Sequence, residues 1–440
     1  EHVYHIELNQ MIRAQYNEAL SVFGGPHPTY TPGMIHDEYV DAICRGEGEI
    51  YFPQLVEKIS KNEDYFTTPN FWFKKEDGSI VKNGFGELVS DLDILPNPDR
   101  KLMYDADSQL NARGQKLFMS NRGCPYKCTY CFNHAYNKMT KGHGDMMRYR
   151  SVDSLLEEIR EVKDNYFLDR VNIDDDIFLL KPKGWLEEFA EKYPKVIGLP
   201  ILCNIRPNMV SDRVGRLLSM SNVTHVAMGI ECGNNEVATT LLKRATKNEK
   251  IYEAADILRK YKIKLITLNL VGLPVENPLA IDFETLDMNL KIKPDFAWSS
   301  ILYPYPGTEL GDMATKQGFF DGNFDKVQIS NKTASNMDLG NKKTNLQINN
   351  LHKLMGVIVQ FPILRPITKF LISLPITRFY TYVYFAFYGY KFLRQSSFKG
   401  MAKNLWQYLI FYFKYVGRLE KKFTFKKTPR KKEVPKAETA

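Results

Sequence analysis

The chain has 440 residues, of which 44% are apolar and 25% charged, with a formal net charge of +9. That length carries two or three domains with real cores, and the apolar share excludes global disorder. Much of the positive excess lies after Lys414, which argues against a nucleic-acid surface spread over the molecule. Six cysteines in so long a chain do not make a disulfide scaffold, and no secretory signal is visible at the start. The chain opens on Glu1 in what reads as mid-domain, so an upstream piece is expected.

Residues 1–70 alternate helix and strand. Residues 9–19 suit an amphipathic helix, residues 20–23 a short strand, and Gly24-Gly25-Pro26-His27-Pro28-Thr29 a tight turn. A second strand (39–44), the turn Arg45-Gly46-Glu47-Gly48-Glu49 and a helix through Leu55 and Ile59 follow. Strand, glycine turn and helix make the grammar of a doubly wound sheet, whose ligands sit at strand C-termini. The plain alternative for Gly24-Gly25 is a turn and nothing more. Residues 71–115 read as a connector, with a hairpin turning at Asp77-Gly78 and a Pro-rich link over 91–100.

A strand over 117–120 leads into Asn121-Arg122-Gly123-Cys124-Pro125-Tyr126-Lys127-Cys128-Thr129-Tyr130-Cys131-Phe132. Cys124, Cys128 and Cys131 stand in C-x3-C-x2-C spacing, and three thiolates on one loop suit a soft metal centre such as an iron–sulfur cluster. A structural zinc site wants a fourth ligand, for which His134 is the nearby candidate. Without it one metal position stays open, as catalysis requires. Strands over 170–173, 201–206, 225–230, 264–270 and 296–302 then alternate with helices over 151–162, 184–192, 211–219, 249–261 and 278–291. Six βα-type units are too few to close an eight-stranded barrel, and they gather polar strand ends at one rim. Cys44 and Cys203 read as buried small residues.

The cysteine spacing, with Gly123 before it and Tyr130 inside it, resembles the radical S-adenosylmethionine enzymes. The resemblance implies a partial (β/α)6 barrel over residues 116–320. It also implies a 4Fe–4S cluster on Cys124, Cys128 and Cys131, with its fourth iron chelating S-adenosylmethionine. The implied nucleotide contacts are Tyr130 and Phe132 around the last cysteine, Asp175 at the second strand end, Asn204 and Arg206, Glu231, Gly272 and Pro274. Asp174-Asp175-Asp176 stands where the family often has Gly-Gly-Glu, whereas Gly229-Ile230-Glu231-Cys232-Gly233 resembles Gly-hydrophobic-Glu-Ser-Gly. Tyr303-Pro304-Tyr305-Pro306-Gly307-Thr308 resembles the Pro-x-Pro-Gly-Thr segment that closes the catalytic domain, and Leu95-Pro96-Asn97-Pro98-Asp99-Arg100 the link that precedes it.

Residues 1–70 look like the second half of a cobalamin-binding domain, with Gly24, Gly25, Pro26 and His27 against the corrinoid. The family's Asp-x-His-x-x-Gly loop has no match here, and His27 reads as a turn residue rather than a cobalt ligand. Residues 321–350 read as a linker, 351–418 as aromatic helices suited to packing on the barrel or to a membrane surface, and 419–440 as a basic disordered tail. The implied enzyme is cytoplasmic and takes its electron from a flavodoxin or ferredoxin type donor. It is expected to be peripheral on the inner membrane face, and to transfer methyl groups to a lipid-like or secondary-metabolite substrate. The alternatives are radical chemistry without functional cobalamin and a non-enzymatic zinc protein.

Overall fold

The computed structural model describes residues 2–244, 246–324 and 334–395. The first unit contains α1 (His2–Arg13), β1 (Val22–Phe23), α2 (Pro26–Tyr30), β2 (Ala42–Cys44), α3 (Tyr51–Ser60), β3 (Phe71–Lys74) and β4 (Ile80–Lys82). β1 and β2 are parallel, while the β3–β4 hairpin pairs antiparallel with β2, giving the order β1-β2-β3-β4. The hairpin expected in the connector therefore completes the first sheet. Phe71 and Phe73 bury against Ala42, Cys44 and Leu55, so the unit runs on past residue 70. The first helix also lies earlier than residues 9–19. Asn9 turns inward, donating to the Tyr39 carbonyl (2.6 Å) and accepting from Ser21 Oγ (2.8 Å), and Arg13 folds back on the Ala19 carbonyl.

α4 (Arg100–Ala106) and α5 (Ser108–Ala112) lead into the larger unit. Its strands are β5 (Gln115–Phe118), β6 (Asn121–Arg122), β7 (Arg148–Tyr149), β8 (Arg170–Ile173), β9 (Ile201–Ile205), β10 (Val223–Glu231), β11 (Lys264–Val271) and β12 (Phe296–Ile301). Its helices are α6 (Phe132–Met139), α7 (Val152–Asn165), α8 (Trp185–Val196), α9 (Asp212–Met220), α10 (Asn235–Thr240), α11 (Asn248–Lys260), α12 (Pro278–Ile292) and α13 (Glu309–Lys316). β5, β8, β9, β10, β11 and β12 form one parallel sheet of six strands in chain order, the partial barrel expected. Period-two alternation sets the layers: Val171, Ile173, Cys203, Val226 and Met228 pack outward against α7 and α11, whereas Asn204, Arg206, Ala227 and Gly229 face inward. α7 starts where expected, because Ser151 Oγ accepts from Ser154 N and Leu155, Ile159 and Val162 share one buried stripe. The short antiparallel pair β6–β7 was not legible in the sequence.

α14 (Lys342–Gln360), α15 (Thr368–Ser373) and α16 (Thr377–Gln395) complete the described chain. α14 begins inside the segment read as a linker: Asn341 Oδ1 caps it through Thr344 N (2.9 Å). Leu351, Met355 and Ile358 then bury against Val271, Ala297 and Ile301, so the helix covers the outer face of the last strand. On α16 the Tyr388 ring centroid lies 4.8 Å from both Phe296 and Trp298. The aromatic segment 405–416 and the basic tail lie outside the described residues. No helix among the described residues is long and apolar enough to cross a membrane.

Charges tie the two units. Glu47 reaches Arg148 (2.8 Å) and Arg122 (3.2 Å), and Glu49 reaches Arg122 (2.5 Å), so the Gly-Glu-Gly-Glu turn grips the β6–β7 pair. Burial alone would raise the Glu47 pKa, but Arg148 and Arg122 outweigh it and hold the carboxyl below its usual range. A carboxyl depressed in the folded state stabilises above its unfolded pKa and loses that contribution as pH falls through the folded one. Glu47→Gln should therefore lose about 2 kcal/mol at neutral pH in urea melts. The difference from wild type should begin to shrink as pH falls below the ordinary carboxylate value of about 4.3 and vanish only below the depressed folded one.

Candidate active site

β6 turns into the cysteine loop at Gly123, whose φ is +93° and where a Cβ would stand 1.9 Å from the Met146 carbonyl oxygen. Only glycine fits. The loop's main chain is then committed from several sides. Asn137 Nδ2 donates to the Cys124 carbonyl (2.9 Å), Thr129 N and Oγ1 donate to the carbonyls of Leu242 (3.2 Å) and Leu241 (2.7 Å), and Leu310 N donates to the Thr129 carbonyl (3.0 Å). Cys124, Cys128 and Cys131 are free thiols, and Cys131 opens α6. Burial pushes the Cys124 thiol up to about 11 and raises Cys131, with Asp176 and the neighbouring thiols adding to both. Thiols held this way keep their protons until a metal displaces them, and the protons released on binding pass to solvent. Among the described residues no three His, Cys, Asp or Glu converge as one metal ion would require. His134 Nε2 lies 3.9 Å from Glu309 in α13, and it joins no such group with the cysteines, which disfavours it as a fourth zinc ligand.

The three aspartates after β8 divide their tasks. Asp175 is buried, and its carboxylate accepts from Ser120 N (2.7 Å), Ser120 Oγ, Asn121 N (3.1 Å) and Lys181 Nζ (2.8 Å). Four donors saturate a carboxylate. Its side chain clamps the start of the cysteine loop to the end of β8, while the residue still lines both cavities described below. Asp176 faces Cys124 and Cys131 and is raised by burial and by its two acidic neighbours, with Asn133 opposing.

A cavity of about 310 Å³ opens at the strand ends, lined by residues 174–177, Asn204, Arg206, Gly229, Glu231 and Arg244 among others. Asn204 Nδ2 donates to the Asp175 carbonyl (2.9 Å). Arg206 lies over the Tyr126 ring (3.6 Å), donates to Asn208 Oδ1 (3.0 Å) and directs Nη1 at Cys128 Sγ (3.7 Å). Glu231 sits at a bulge in β10 with φ +66°, a left-handed conformation uncommon for a non-glycine residue. Burial raises its carboxyl, while Arg244, at 4.0 Å, and a hydrogen bond from Tyr130 oppose. Gly229 makes room for that pair, since a Cβ there would stand 2.5 Å from Glu231 Oε1.

Arg244 escaped the sequence reading. It comes from a patternless loop after α10, yet its buried guanidinium donates to the Gly229 carbonyl, faces Glu231 and hydrogen-bonds Cys128. Two cations thus converge on the middle thiol. Partners in this outer position orient metal ligands and tune the centre.

Of the remaining expected contacts, Tyr130 stands behind Glu231 and the others pack against the chain itself. Phe132 packs between Tyr30 (4.3 Å) and Tyr305 (5.0 Å), and its carbonyl accepts from Tyr30 Oη (3.0 Å). At Gly272 (φ +73°) the close approach is made by Leu339 Cδ1, 2.9 Å from where a Cβ would be, and its N–H donates to Asp282 (3.0 Å). Tyr130, Phe132, Gly272 and Pro274 line neither described cavity.

A second cavity, of about 360 Å³, lies between the two units. Gly25, Pro26, Tyr30, Gly46 and Glu47 form one wall, while Arg122, Gly123, Tyr136 and Met146 form the other. It shares residues 174–176 with the first cavity, so the two adjoin beside the cysteine loop. Gly25 opens α2 with φ +91°, the reason for a glycine there. Gly24 and His27 do not line the space; His27 lies inside α2, where its carbonyl accepts from Thr31 N (2.7 Å).

Comparison with known proteins agrees with this geometry. Residues 119–282 match the Radical SAM superfamily. An uncharacterized methyltransferase of Pyrococcus horikoshii is 26% identical over 296 residues, 67% of this chain and 62% of the relative. The cobalamin-dependent radical SAM methyltransferase TokK of Streptomyces tokunonensis is 30% identical over 133 residues, 29% of this chain and 19% of its own. The solved structure of the cobalamin-dependent S-adenosylmethionine radical enzyme OxsB, with aqua-cobalamin bound, superposes with a TM-score of 0.61 at 13% identity, covering 95% of this chain and 66% of that one. The chain thus spans about three-fifths of the length of the Pyrococcus relative. Residues 119–282 thus match a radical SAM domain, and the chain shares its fold with a cobalamin-dependent S-adenosylmethionine radical enzyme.

Proposed function

We propose that the chain is a cobalamin-dependent radical S-adenosylmethionine methyltransferase that acts on an unactivated carbon of a lipid-like or secondary-metabolite substrate. One observation carries this reading: two cavities meet at residues 174–176 beside three free thiols. Bound together, a 4Fe–4S cluster, S-adenosylmethionine and cobalamin supply reductive cleavage of the sulfonium, hydrogen abstraction and methyl transfer.

The chain's own residues would hold and orient these groups. Cys124, Cys128 and Cys131 ligate three irons, and the buried loop around them excludes water. Asp176, unlike the saturated Asp175, has an oxygen to offer the nucleotide's ammonium. Glu231 accepts from ribose hydroxyls, and Asn204 and Arg206 border the same cavity. The names of TokK and OxsB support cobalamin in the second cavity, against Gly25 and Pro26. A flavodoxin or ferredoxin type donor would supply the electron, and a peripheral position on the inner face of the membrane would suit a lipid-like substrate.

A second reading, radical chemistry without cobalamin, is favoured by one observation: no histidine is among the described residues lining the second cavity. Anaerobic titration of the full-length protein with hydroxocobalamin separates the two. Saturable binding at one equivalent, and a deuterated methyl group in the product from deuteriomethyl-labelled S-adenosylmethionine, are expected. Absence of corrinoid binding would remove the first reading and keep the second.

A further inference from the structure

The segment spanning residues 361–382 is fixed on its inner side. Arg365 holds Asp287 of α12 through two hydrogen bonds (2.5 and 2.8 Å). Asn350 Nδ2 donates to the carbonyls of Ile372 (2.8 Å) and Leu374 (3.0 Å), and its Oδ1 accepts from Thr377 Oγ1 (2.9 Å). Tyr380 Oη donates to the Leu371 carbonyl (2.8 Å), while Ile372 and Tyr380 bury against Leu351 and Met355. A segment held so firmly has chosen what it presents to solvent.

It presents apolar side chains. Phe361, Ile363, Ile367, Phe370, Ile376 and Phe379 are all exposed, Ile363 by 85% and Phe370 by 65%. Tyr382 continues the row one helical turn beyond Phe379. Six exposed apolar side chains within nineteen residues, on a segment fixed from its inner side, mark an interaction site. The opposite side of α16 is apolar for a different reason, since Tyr384 and Tyr388 pack inward. Among its described side chains the helix is thus apolar on both of these sides, which neither a solvated surface nor simple packing on the barrel explains.

Charge identifies the occupant. Between Asp338 and Glu420 the sequence contains no Asp or Glu. Within the patch Arg365 is paired with Asp287, but Lys369 and Arg378 are exposed beside the apolar side chains. A protein partner tolerates either sign around an apolar patch. Aromatic and aliphatic side chains interleaved with cations only are what an anionic headgroup layer selects. No described helix can cross a bilayer, so the contact is superficial.

We propose that residues 361–382 form a docking surface for the face of an anionic phospholipid bilayer. This deepens the peripheral placement proposed above, and it needs no cofactor, so its failure would leave the radical chemistry standing. The test is co-sedimentation of the full chain with phosphatidylcholine vesicles that contain phosphatidylglycerol, against pure phosphatidylcholine. Binding to the anionic vesicles is expected, with roughly a tenfold or greater loss in the Ile363→Ser/Phe370→Ser/Phe379→Ser protein. Circular dichroism and gel-filtration elution should match wild type. If the triple variant fails to fold, Ile363→Ser and Phe370→Ser alone should each weaken binding about threefold. The proposal is overturned if anionic vesicles do not bind, or if the substitutions leave binding unchanged so that the basic tail alone accounts for it. It is equally overturned if these substitutions instead dissociate a dimer of this chain.

Discussion

With Cys128 replaced by alanine, 5′-deoxyadenosine formation from S-adenosylmethionine falls more than about 100-fold, because even outer partners of metal ligands are worth 10- to 100-fold. Cys128 is the most informative of the three cysteines. Arg206 directs Nη1 at its sulfur from 3.7 Å, and Arg244 hydrogen-bonds the same atom. The fold should survive the change. Arg206 keeps the Tyr126 face and Asn208, and Arg244 keeps the Gly229 carbonyl and Glu231. Circular dichroism should thus be unaltered while product disappears. Arg244→Gln gives the complementary result. Iron content should stay near wild type, but removing a cation beside the cluster disfavours the electron. The reduced fraction at fixed potential should fall about tenfold, a shift of about 59 mV for a one-electron couple. Potentiometric titration followed by electron paramagnetic resonance reads it directly.

Asp175→Ala should lower stability by about 4 kcal/mol, the range for removing one member of a buried ion pair. Ser120 N, Asn121 N and Lys181 Nζ all lose their acceptor at once. Lys181 has a side chain only 2% exposed, set against Phe178 and Trp185, so its charge would be stranded among aromatic rings. Urea unfolding with an unchanged slope measures the loss. Adding Lys181→Met should recover part of it, since the stranded charge is then gone. Retention of full stability in Asp175→Ala would show that the aspartate is no clamp.

The contrast between these two sites shows what the sequence could and could not reveal. Cys128 was legible because its chemistry is local: thiol spacing on one loop needs no knowledge of the fold. The six barrel strands were legible for a similar reason, since short apolar runs end in polar residues at one rim, whereas Glu231 was named through the resemblance of Gly229-Ile230-Glu231-Cys232-Gly233. The clamping role of Asp175 was not legible because three adjacent carboxylates look alike in sequence. Only tertiary contacts with Ser120, Asn121 and Lys181 distinguish the saturated one. Arg244 left no trace at all, sitting in a short loop beside Lys243 where a basic pair reads as solvated surface. The start of α14 was hidden because the mostly polar residues 342–347 mask a helix whose buried stripe begins at Ile348. Gly272 was named as a nucleotide contact, and the group that the chain itself brings against it is Leu339, far along the chain.

The account rests on three protein thiolates and a corner of the cluster left for the nucleotide. Electron–nuclear double resonance on the reduced, anaerobically reconstituted protein tests this most directly, using S-adenosylmethionine labelled with oxygen-17 in its carboxylate. A hyperfine coupling from the label is predicted. A cluster with four protein ligands and no coupling, or a colourless zinc protein, would contradict it.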